Sequence, residues 1–495
     1  MSRVLVEHSG GTKSLEALPG ESLLDLLRRG GFPVSAPCGG NGTCGKCKVR
    51  LDDGRVVPAC RTPAENCRVI LEENSGGAIC TDSAAAAKSV EGREGLGAAV
   101  DIGTTTVAVK LFDLKDGREL GVKSAWNAQA PYGADVISRC QYIMEHEDGL
   151  ARLSGLIREQ VFPMADELRR EKKVDEFFIA GNTVMEHIFM GLSPVSIATA
   201  PFKPLSLFDS GEVFAEKDAA LSCAPCVAGY VGGDITAGLL ASGLDEKEEC
   251  SLFLDVGTNG EMALGSADGG FLCCATAAGP AFEGAVISQG MSACDGAISR
   301  VELADGKVAV SVLGGGKATG VCGSGLVDAL AVMLELGAVD ETGRLLPPDE
   351  APEEALPYLE EDEDGGVRFR LAGDVYITDA DVRQLQLAKA AIAAGICTLL
   401  DEAGLEEDDL ACLYLAGGFG NYIRRESAAA IGLLPPSMVE RIVGVGNSAG
   451  RGAAAALLSA QARDILDGLP GRCRYIELSG HRAFNDYYID CMMFE

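Results

Sequence analysis

The N-terminal part of the chain alternates between apolar and polar positions over short stretches, as half-buried strands do. Four segments have this pattern: Arg3–His8, Lys13–Ala17, Val49–Leu51 and Arg68–Leu71. After the second of them, Glu21–Arg29 places Leu23, Leu24 and Leu27 at the spacing of one helix face. This order of elements predicts a small domain in which one helix packs against a sheet.

A different pattern appears twice farther along: an apolar strand that ends at an aspartate, a tight turn with glycine and threonine, and a second apolar strand. The two segments are Ala98–Asp113 (AAVDIGTTTVAVKLFD) and Ser251–Leu264 (SLFLDVGTNGEMAL). Such a turn presents backbone N–H groups and hydroxyls to a polyphosphate, while Asp101 or Asp255 can hold Mg²⁺, usually through water. An ordinary hairpin explains one such turn equally well, but the recurrence indicates two similar lobes that face a single nucleotide.

Three further segments lead from a strand through glycines, and they are Ala228–Leu244, Cys412–Tyr422 and Val443–Leu458. In the first, Asp234 follows two glycines and precedes an apolar helix, so a helix N-cap is the alternative explanation for it. In the second, a strand runs into Gly417, Gly418 and Gly420, which suit close approach to a flat base and ribose. In the third, glycines open an alanine-rich helix.

The chain has 495 residues, of which 73 are acidic and 42 basic, so its formal net charge is −31. This excess argues against nucleic acid and anionic membranes as partners, because both attract clustered Lys and Arg. Residues 1–82 contain ten acidic and ten basic side chains, so residues 83–495 carry the whole excess. We find neither a basic leader followed by an apolar stretch nor an apolar run of about 18 residues, which predicts a soluble, cytoplasmic protein.

Four of the 18 cysteines lie near the N-terminus with the spacing C-x5-C-x2-C-x12-C, and they are Cys38, Cys44, Cys47 and Cys60. Four thiolates close a [2Fe–2S] site, and the glycines between them suit a loop wrapped around a cluster. Zinc is the rival metal, although a zinc ribbon normally has two C-x2-C pairs; unligated cysteines are the third option. Because the last gap is short, Cys67 is an alternative to Cys60 as the fourth ligand.

With these cysteines, the predicted strands and helix resemble the α+β β-grasp fold of [2Fe–2S] ferredoxins. The x5 gap is closer to the adrenodoxin-like spacing than to the plant-type one. The segment Ser83–Gly97 lacks apolar periodicity and is typical of a linker. The expected organisation is therefore a ferredoxin-like domain over residues 1–82, a linker over residues 83–97 and a second part over residues 98–495.

The motifs between residues 98 and about 458 resemble, in their order, those of the actin/Hsp70/sugar-kinase ATPases. The resemblance implies two RNase-H-like α/β lobes with ATP and Mg²⁺ in the cleft: lobe I at about 98–245 with a C-terminal return at about 440–495, and lobe II at about 250–440. It implies that Asp101 and Asp255 hold the metal, and it makes Asp234, which would orient or deprotonate water, and Asp255 the catalytic candidates. The residues implied to bind the nucleotide are Asp101, Gly103, Thr104, Thr105, Gly257, Thr258, Asn259, Gly417, Gly418, Phe419, Gly446 and Asn447.

A ferredoxin module joined to this ATPase resembles the reductive activators of corrinoid proteins. Further segments that fit this family are IAGNTVMEHIFMG (Ile179–Gly191), APFKPL (Ala200–Leu205), GPAFEGA (Gly279–Ala285) and TGVCGSGLVDAL (Thr319–Leu330). The resemblance implies ATP-dependent delivery of one electron from the cluster to a corrinoid protein of a methyl-transfer system, which converts inactive Co(II) to Co(I). It also implies an upstream low-potential electron donor, and it leaves the oligomeric state open, a homodimer included.

Other functions stay open at this point. A small-molecule kinase with a fused cluster would use the same ATPase fold, and so would a non-enzymatic module that senses ATP and redox state. An activator of the 2-hydroxyacyl-CoA dehydratase type would hold a [4Fe–4S] cluster between two subunits, and Cys322 is the residue that suggests it. Cys223 and Cys226 form a C-A-P-C pair, although structural cysteines explain them more simply.

Overall fold

A computed structural model describes most of the chain. The described residues are 2–8, 11–30, 32, 34, 48–71, 90–129, 132–133, 135–169, 173–209, 214–216, 219–279, 281–284, 286–291, 293–361, 365–420 and 422–494. Three of the predicted cluster ligands, Cys38, Cys44 and Cys47, lie outside them, whereas Cys60 and all the predicted nucleotide-binding residues lie within them.

The N-terminal domain is a five-stranded sheet with one helix, the β-grasp fold predicted from the sequence. Its strands are β1 (Arg3–His8), β2 (Gly11–Glu16), β3 (Lys48–Leu51), β4 (Val56–Pro58) and β5 (Cys67–Ile70), and its helix is α1 (Leu23–Arg29). The strand order is β2-β1-β5-β3-β4, and β1 runs parallel to β5. Val4, Val6 and Val69 from these two strands and Leu23 and Leu27 from α1 are completely buried, so the alternation along the sequence builds this core.

The rest of the chain is built on two six-stranded sheets. The strands of the first are β6 (Leu96–Ile102), β7 (Thr106–Asp113), β8 (Glu119–Trp126), β9 (Glu176–Gly181), β10 (Phe214–Glu216) and β11 (Ala219–Cys223). In the order β10-β11-β9-β6-β7-β8, strands β6, β7 and β8 form an antiparallel meander, and β9 and β11 continue the sheet in parallel beyond β6. Strand β6 consists almost entirely of small and apolar residues, which suits a central strand that is covered on both faces.

The second lobe repeats this design. Its strands are β12 (Ser251–Val256), β13 (Gly260–Ser266), β14 (Gly270–Thr276), β15 (Ala297–Ala304), β16 (Lys307–Val312), β17 (Gly320–Val321), β18 (Leu359–Glu361), β19 (Val367–Ala372), β20 (Val375–Thr378), β21 (Leu413–Ala416), β22 (Ile442–Gly446) and β23 (Cys473–Tyr475). The large sheet has the order β22-β21-β12-β13-β14-β23, again a meander extended by parallel strands, while β15–β17 and β18–β20 form two small sheets. The repeat places Asp101 and Asp255 at equivalent positions, each one residue before the end of its strand. The predicted two-lobed architecture is confirmed.

Helices cover these sheets and fill the space between them. They are α2 (Val136–Glu145), α3 (Gly149–Leu168), α4 (Thr183–Met190), α5 (Val195–Ala198), α6 (Gly233–Ser242), α7 (Gly323–Glu335), α8 (Asp379–Ala403), α9 (Gly417–Gly420), α10 (Arg425–Ala430), α11 (Ser448–Leu458), α12 (Ala460–Gly468) and α13 (Arg482–Asp490). Helices α6 and α11 pack on each other and share one apolar core with Phe178 of the first sheet and Phe253 of the second. Gly452 of α11 lies so close to the carbonyl of Ala237 in α6 that an added methyl group would overlap it.

The chain crosses between the lobes more than once. Strand β22 belongs to the second sheet, whereas α11, which follows it, packs on α6, β6 and β9 of the first lobe. The last segment goes back, because β23 pairs with β14 and α13 packs on α8. The expected return of residues 440–495 to lobe I is therefore limited to α11 and α12, since β22 and β23 complete the sheet of lobe II.

Of the expected linker, residues 83–97, the first part (residues 83–89) lies outside the described residues. The rest of it is bound to the first lobe rather than free. Arg93 forms an ion pair with Glu176 at 2.6 Å, and β6 already begins at Leu96. The second part of the chain thus starts slightly before the expected boundary at residue 98.

Candidate functional site

The first phosphate turn, between β6 and β7, is supported from behind by polar side chains. Asn127 Nδ2 donates to the carbonyl of Gly103 at 2.9 Å, and Arg139 Nη2 donates to that of Thr104 at 2.6 Å. Arg139 is completely buried; burial lowers its pKa to about 10, against the effect of the carboxylates of Asp135 and Glu283. These bonds occupy carbonyl oxygens that would repel a phosphate, and they place a positive charge behind the turn.

The second phosphate turn, between β12 and β13, is organised in the same way. The N–H of Gly257 donates to the carbonyl of Asn259, and the N–H of Gly279 donates to that of Thr258, both at 2.9 Å. Asn259 Nδ2 donates to Glu261 Oε1 at 3.0 Å. Backbone and side-chain donors therefore hold the shape of this turn from within the second lobe.

A single carboxylate connects the two turns. Glu283 Oε1 accepts a hydrogen bond from the hydroxyl of Thr105 at 2.7 Å and another from the hydroxyl of Thr258 at 2.8 Å. Beside them, the hydroxyl of Thr104 accepts from Asn182 Nδ2 at 3.0 Å. The structure thus brings three of the predicted phosphate-binding threonines together at the junction of the two lobes.

Three aspartates lie behind these turns, and burial raises the pKa of each of them. Burial, and then the charges of Asp234 and Asp101, raise the pKa of Asp255 to about 8. Burial and the charge of Asp234 raise that of Asp101 to about 7, against the hydrogen bond from Asn447. Burial raises the pKa of Asp234 to about 6, against backbone N–H groups at the start of α6. Protein surrounds most of each side chain, but all three keep some exposed surface. Solvent therefore still reaches these carboxylates between the two lobes.

Asp234 does not cap its helix. The N-cap of α6 is Gly232, and Asp234 lies in the first turn, where its Oδ1 accepts from the N–H of Ile235 at 2.9 Å. This places its carboxylate at the positive end of the helix. The structure therefore does not support the capping explanation.

Two further carboxylates, neither of which we predicted from the sequence, adjoin the aspartates. Burial, and then the charges of Asp234 and Asp255, raise the pKa of Glu261 well above its usual range. Burial and Asp234 do the same for Glu186, against a hydrogen bond from Cys226. The floor of the cleft therefore concentrates negative charge around Asp234.

This donor set fits a hydrated Mg²⁺ better than a metal enclosed by protein ligands. Among the described residues, no group of three His, Cys, Asp or Glu side chains could hold a metal ion directly. Mg²⁺ usually keeps several waters and takes one or two carboxylates together with phosphate oxygens. Burial raises the pKa of Asp101, Asp234 and Asp255, and the charge of Asp234 adds to it at Asp101 and Asp255; a cation near these carboxylates would favour their charged forms.

The glycines predicted to face the nucleotide follow β21. Gly417 has φ +88°, and an added Cβ would lie 2.5 Å from Asp255 Oδ1 and 2.6 Å from the carbonyl of Val256, so only glycine fits there. Around Gly418, in contrast, an added Cβ would meet none of the described atoms within 4 Å. Phe419 stacks on Phe282, with ring centroids 4.6 Å apart, which sets a flat apolar pair next to these glycines.

The start of α11 connects the second lobe to Asp101. Gly446 ends β22 with φ +61°, and Asn447 is the N-cap of α11, where its Oδ1 accepts from the N–H of Gly450 at 2.6 Å. Its Nδ2 donates to Asp101 Oδ2 at 2.7 Å. One side chain thus caps a helix and orients a predicted metal-side carboxylate.

In the N-terminal domain, the described part of the cluster region contains both candidates for the fourth ligand. Cys60 lies in the 3₁₀ turn Ala59–Arg61, and Cys67 is the first residue of β5; both are half-buried against the domain core. Next to Cys60, Arg61 Nη1 lies 3.6 Å from Asp295 Oδ2 of the second lobe. The fourth-ligand region therefore faces the ATPase part of the chain.

The other cysteines considered as metal or redox sites are buried inside the ATPase part. Cys226 Sγ donates to Glu186 Oε2 at 3.1 Å, and Cys223 ends β11 within the core. Cys322 precedes α7, and its Sγ lies 3.4 Å from the carbonyl of Ile298. Each of these thiols contacts residues of its own lobe, as expected for a structural cysteine.

Comparison with known proteins accounts for nearly the whole chain. Residues 6–81 match a 2Fe-2S iron-sulfur cluster binding domain, residues 96–247 match the RACo middle region, and residues 249–495 match the C-terminal ASKHA domain of RACo. The corrinoid activation enzyme RamQ of Eubacterium limosum is 35% identical over 428 residues, which cover 80% of this chain and 70% of that protein. The chain belongs to the RACo family.

Two other proteins are similar over most of their length. The [Co(II) methylated amine-specific corrinoid protein] reductase of Methanosarcina barkeri is 26% identical over 391 residues, which cover 71% of this chain and 68% of that protein. A solved structure described as a reductive activator for corrinoid, iron-sulfur protein covers 100% of this chain and 98% of its own, with 30% identity and a TM-score of 0.71. The resemblance inferred from the motifs is confirmed at the level of the family.

In this RACo chain, no helix of the described part is long and apolar enough to cross a membrane.

Sequence reasoning missed several residues that build the site. Arg139 is the only basic residue of a helix with ordinary amphipathic spacing, and Glu283 lies inside GPAFEGA without a recognisable phosphate-binding context. Glu261 is the residue that the sequence does indicate, because it is a charged residue within the apolar strand segment GEMAL, and charged residues are rarely buried without a partner. Arg139 and Glu283 act through neighbours that are distant in sequence.

Proposed function

We propose that this RACo-family chain reactivates a corrinoid protein by transferring one electron from its [2Fe–2S] cluster to Co(II), which gives Co(I), and that it couples this transfer to ATP hydrolysis. The observation that carries the proposal is that one chain combines a β-grasp cluster-binding domain with two similar lobes that bring three half-buried aspartates together. The relatives named for corrinoid activation and for reduction of a Co(II) corrinoid protein support this substrate.

The need for ATP follows from the redox energetics. Formation of Co(I) requires a very low potential, and plant-type [2Fe–2S] centres have potentials of about −400 mV. Each additional 59 mV uphill costs about tenfold in a one-electron equilibrium. A ferredoxin alone would therefore reduce only a small fraction of the cobalt, and ATP-driven closure of the cleft provides the conformational step that shifts the balance.

The cleft residues divide between binding and hydrolysis. Asp101 and Asp255 hold Mg²⁺ through water, and Asp234 orients the water that attacks the terminal phosphate. A carboxylate whose pKa is near neutrality is suited to accept a proton from that water. The groups that bind the nucleotide are Gly103, Thr104, Thr105, Gly257, Thr258, Asn259, Gly417, Gly418, Phe419, Gly446 and Asn447.

The cluster domain supplies the electron. Cys38, Cys44, Cys47 and Cys60 are the ligands, and when bound the cluster carries one electron between an upstream low-potential donor and the corrinoid. The partner is a corrinoid protein of a methyl-transfer system, and the Methanosarcina relative is named as the reductase of a methylated amine-specific corrinoid protein. Arg61, beside Cys60, contributes to the approach of this domain to the second lobe.

The decisive experiment mixes the reduced protein, Mg-ATP and a panel of Co(II) corrinoid proteins and records the Co(I) absorption spectrum. We expect Co(I) with at least one partner and only in the presence of ATP. ADP in place of ATP serves as the control for nucleotide binding without hydrolysis. If no partner yields Co(I), although iron content and visible absorption show an intact cluster, the proposal is wrong.

A further inference from the structure

The carboxylate of Glu283 occupies an unusual position in this cleft. One of its oxygens, Oε1, accepts from the hydroxyls of Thr105 and Thr258, which come from the phosphate turns of different lobes. Glu283 itself lies in the segment after β14, within the second lobe, so its bond to Thr105 links the two lobes directly. An anionic oxygen thus lies where the proposed site requires the oxygens of a phosphate chain.

The two hydroxyls cannot serve both acceptors at once. A threonine hydroxyl has one proton, so it donates to a single acceptor at a time. While Thr105 and Thr258 donate to Glu283, they can meet a phosphate only as acceptors, and a phosphate at neutral pH offers them hardly any donor. Binding of a nucleotide phosphate through these hydroxyls therefore requires the carboxylate to leave.

The charge behind the first turn supports the same exchange. Arg139 is completely buried and donates to the carbonyl of Thr104, and the negative charge of Glu283 is among the groups that stabilise its positive charge. A phosphate that took the place of the Glu283 carboxylate would restore the same charge balance. The site thus holds an internal anion that an incoming anion can replace.

We propose that Glu283 is an internal substitute for the terminal phosphate of ATP, which holds Thr105 and Thr258 together across the cleft until ATP displaces it. This inference rests on the proposed nucleotide site and adds a specificity role to it. ATP, whose phosphate chain is one group longer than that of ADP, reaches the two hydroxyls and displaces Glu283. ADP leaves Glu283 bound to both turns, so this residue distinguishes the two nucleotides.

The test compares nucleotide affinities of the wild type and Glu283→Gln by calorimetry, with Mg-ATP and Mg-ADP as the probes. The glutamine amide keeps the size of the side chain and one oxygen acceptor, so the fold is preserved, but a neutral acceptor holds the hydroxyls less strongly. We expect Glu283→Gln to bind Mg-ATP about tenfold more tightly and to bind Mg-ADP with nearly unchanged affinity. Glu119→Gln, which removes an exposed carboxylate on β8, is the matched control and leaves both affinities unchanged.

A second variant separates this role from general effects on folding. Thr258→Val keeps the shape of the threonine but removes its hydroxyl, so the hydrogen bond from Thr258 to Glu283 is already absent. In a Thr258→Val protein, the additional change Glu283→Gln therefore weakens only the hydrogen bond from Thr105. We expect the gain in ATP affinity to shrink in the double variant, a coupling that a merely structural role would not produce.

Several outcomes contradict the proposal. Unchanged ATP affinity combined with a large loss of hydrolysis in Glu283→Gln would make the residue catalytic instead. An equal gain for ATP and ADP would remove its connection to the terminal phosphate. If the wild type binds neither nucleotide, the proposed function itself fails, and the role of Glu283 fails with it.

Discussion

Asn447 donates a hydrogen bond to Asp101 at 2.7 Å, although Asn447 follows β22, an edge strand of the second sheet, and Asp101 lies in β6, a central strand of the first. The same side chain accepts from the N–H of Gly450 as the N-cap of α11. A helix terminus therefore positions a predicted metal-side carboxylate, and this double role can be tested.

Asn447→Ala removes both bonds at once. We expect the free energy of unfolding to fall by about 0.5–2 kcal/mol, as for other lost N-caps, and the affinity for Mg-ATP to fall as well. Urea denaturation and calorimetry measure the two effects. Ser459→Ala is the control, because Ser459 caps the next helix, α12, and donates nothing to the cleft carboxylates. We expect Ser459→Ala to lose stability but to keep its affinity for Mg-ATP. The same result for Asn447→Ala would contradict the role of Asn447 at Asp101.

Gly417 and Gly418 are adjacent, but we expect their replacement by alanine to affect the stability of the protein differently. Gly417→Ala strains a backbone at φ +88° and brings a methyl group against Asp255 and the carbonyl of Val256, so we expect a loss of more than about 1 kcal/mol in the free energy of unfolding. Gly418→Ala meets open space among the described atoms and should leave this free energy nearly unchanged. Equal stability of the two variants in urea denaturation would refute the close contact at Gly417.

Asp234→Asn tests the proposed role in hydrolysis. The amide is isosteric but accepts no proton from water, so we expect ATP hydrolysis to slow by about 10²–10⁴-fold while Mg-ATP still binds. Phosphate release and calorimetry provide the two readouts. Asp268→Asn, in the exposed turn between β13 and β14, should retain both properties. Wild-type hydrolysis by Asp234→Asn would assign the role to another residue.

The fourth cluster ligand can be assigned by comparing Cys60→Ser with Cys67→Ser. We expect the first variant to lose the visible absorption and the iron of the cluster and the second to keep both, because Cys60 completes the predicted ligand spacing. Mg-ATP should bind to both variants as to the wild type, since the nucleotide cleft lies in the other part of the chain. Loss of the cluster in Cys67→Ser alone would reverse the assignment.

The ion pair between Arg61 and Asp295 predicts that electron transfer depends on salt. Both side chains are more than half exposed, so the pair contributes at most about 1 kcal/mol to stability and acts mainly on the approach of the domains. We expect Arg61→Glu to slow Co(I) formation severalfold at low ionic strength and Asp295→Arg to restore it in the double variant. Arg55→Glu, whose partner Asp53 lies in the same domain, is the control. A rate that does not respond to salt or to either reversal would contradict this contact.

Local patterns predicted most of the fold. The alternation in Arg3–His8 and the two Asp-x-Gly-Thr turns could be recognised because the residues that form each element are neighbours in sequence. The sequence also indicated Asp101 and Asp255 as equivalent residues, and the repeated sheet topology places them so. These elements follow from strand periodicity and turn chemistry alone.

What could not be predicted depends on contacts between distant segments. Glu283 meets Thr105 across 178 positions, and Arg139 reaches the carbonyl of Thr104 from a separate helix. The C-terminal boundary was missed for a similar reason, because the pairing of β23 with β14 leaves no local mark on a three-residue strand. Such contacts are decided by tertiary packing.

The contact of Gly452 with Ala237 also constrains how helices α6 and α11 can move against each other. Helices that interlock backbone against backbone cannot slide along each other without steric overlap, so shear between α6 and α11 is blocked. A glycine in the left-handed region lies where the chain leaves α6, at Gly243, and another lies where it enters α11, at Gly446. The two helices thus behave as one rigid element, and the backbone freedom next to it is concentrated at these two glycines.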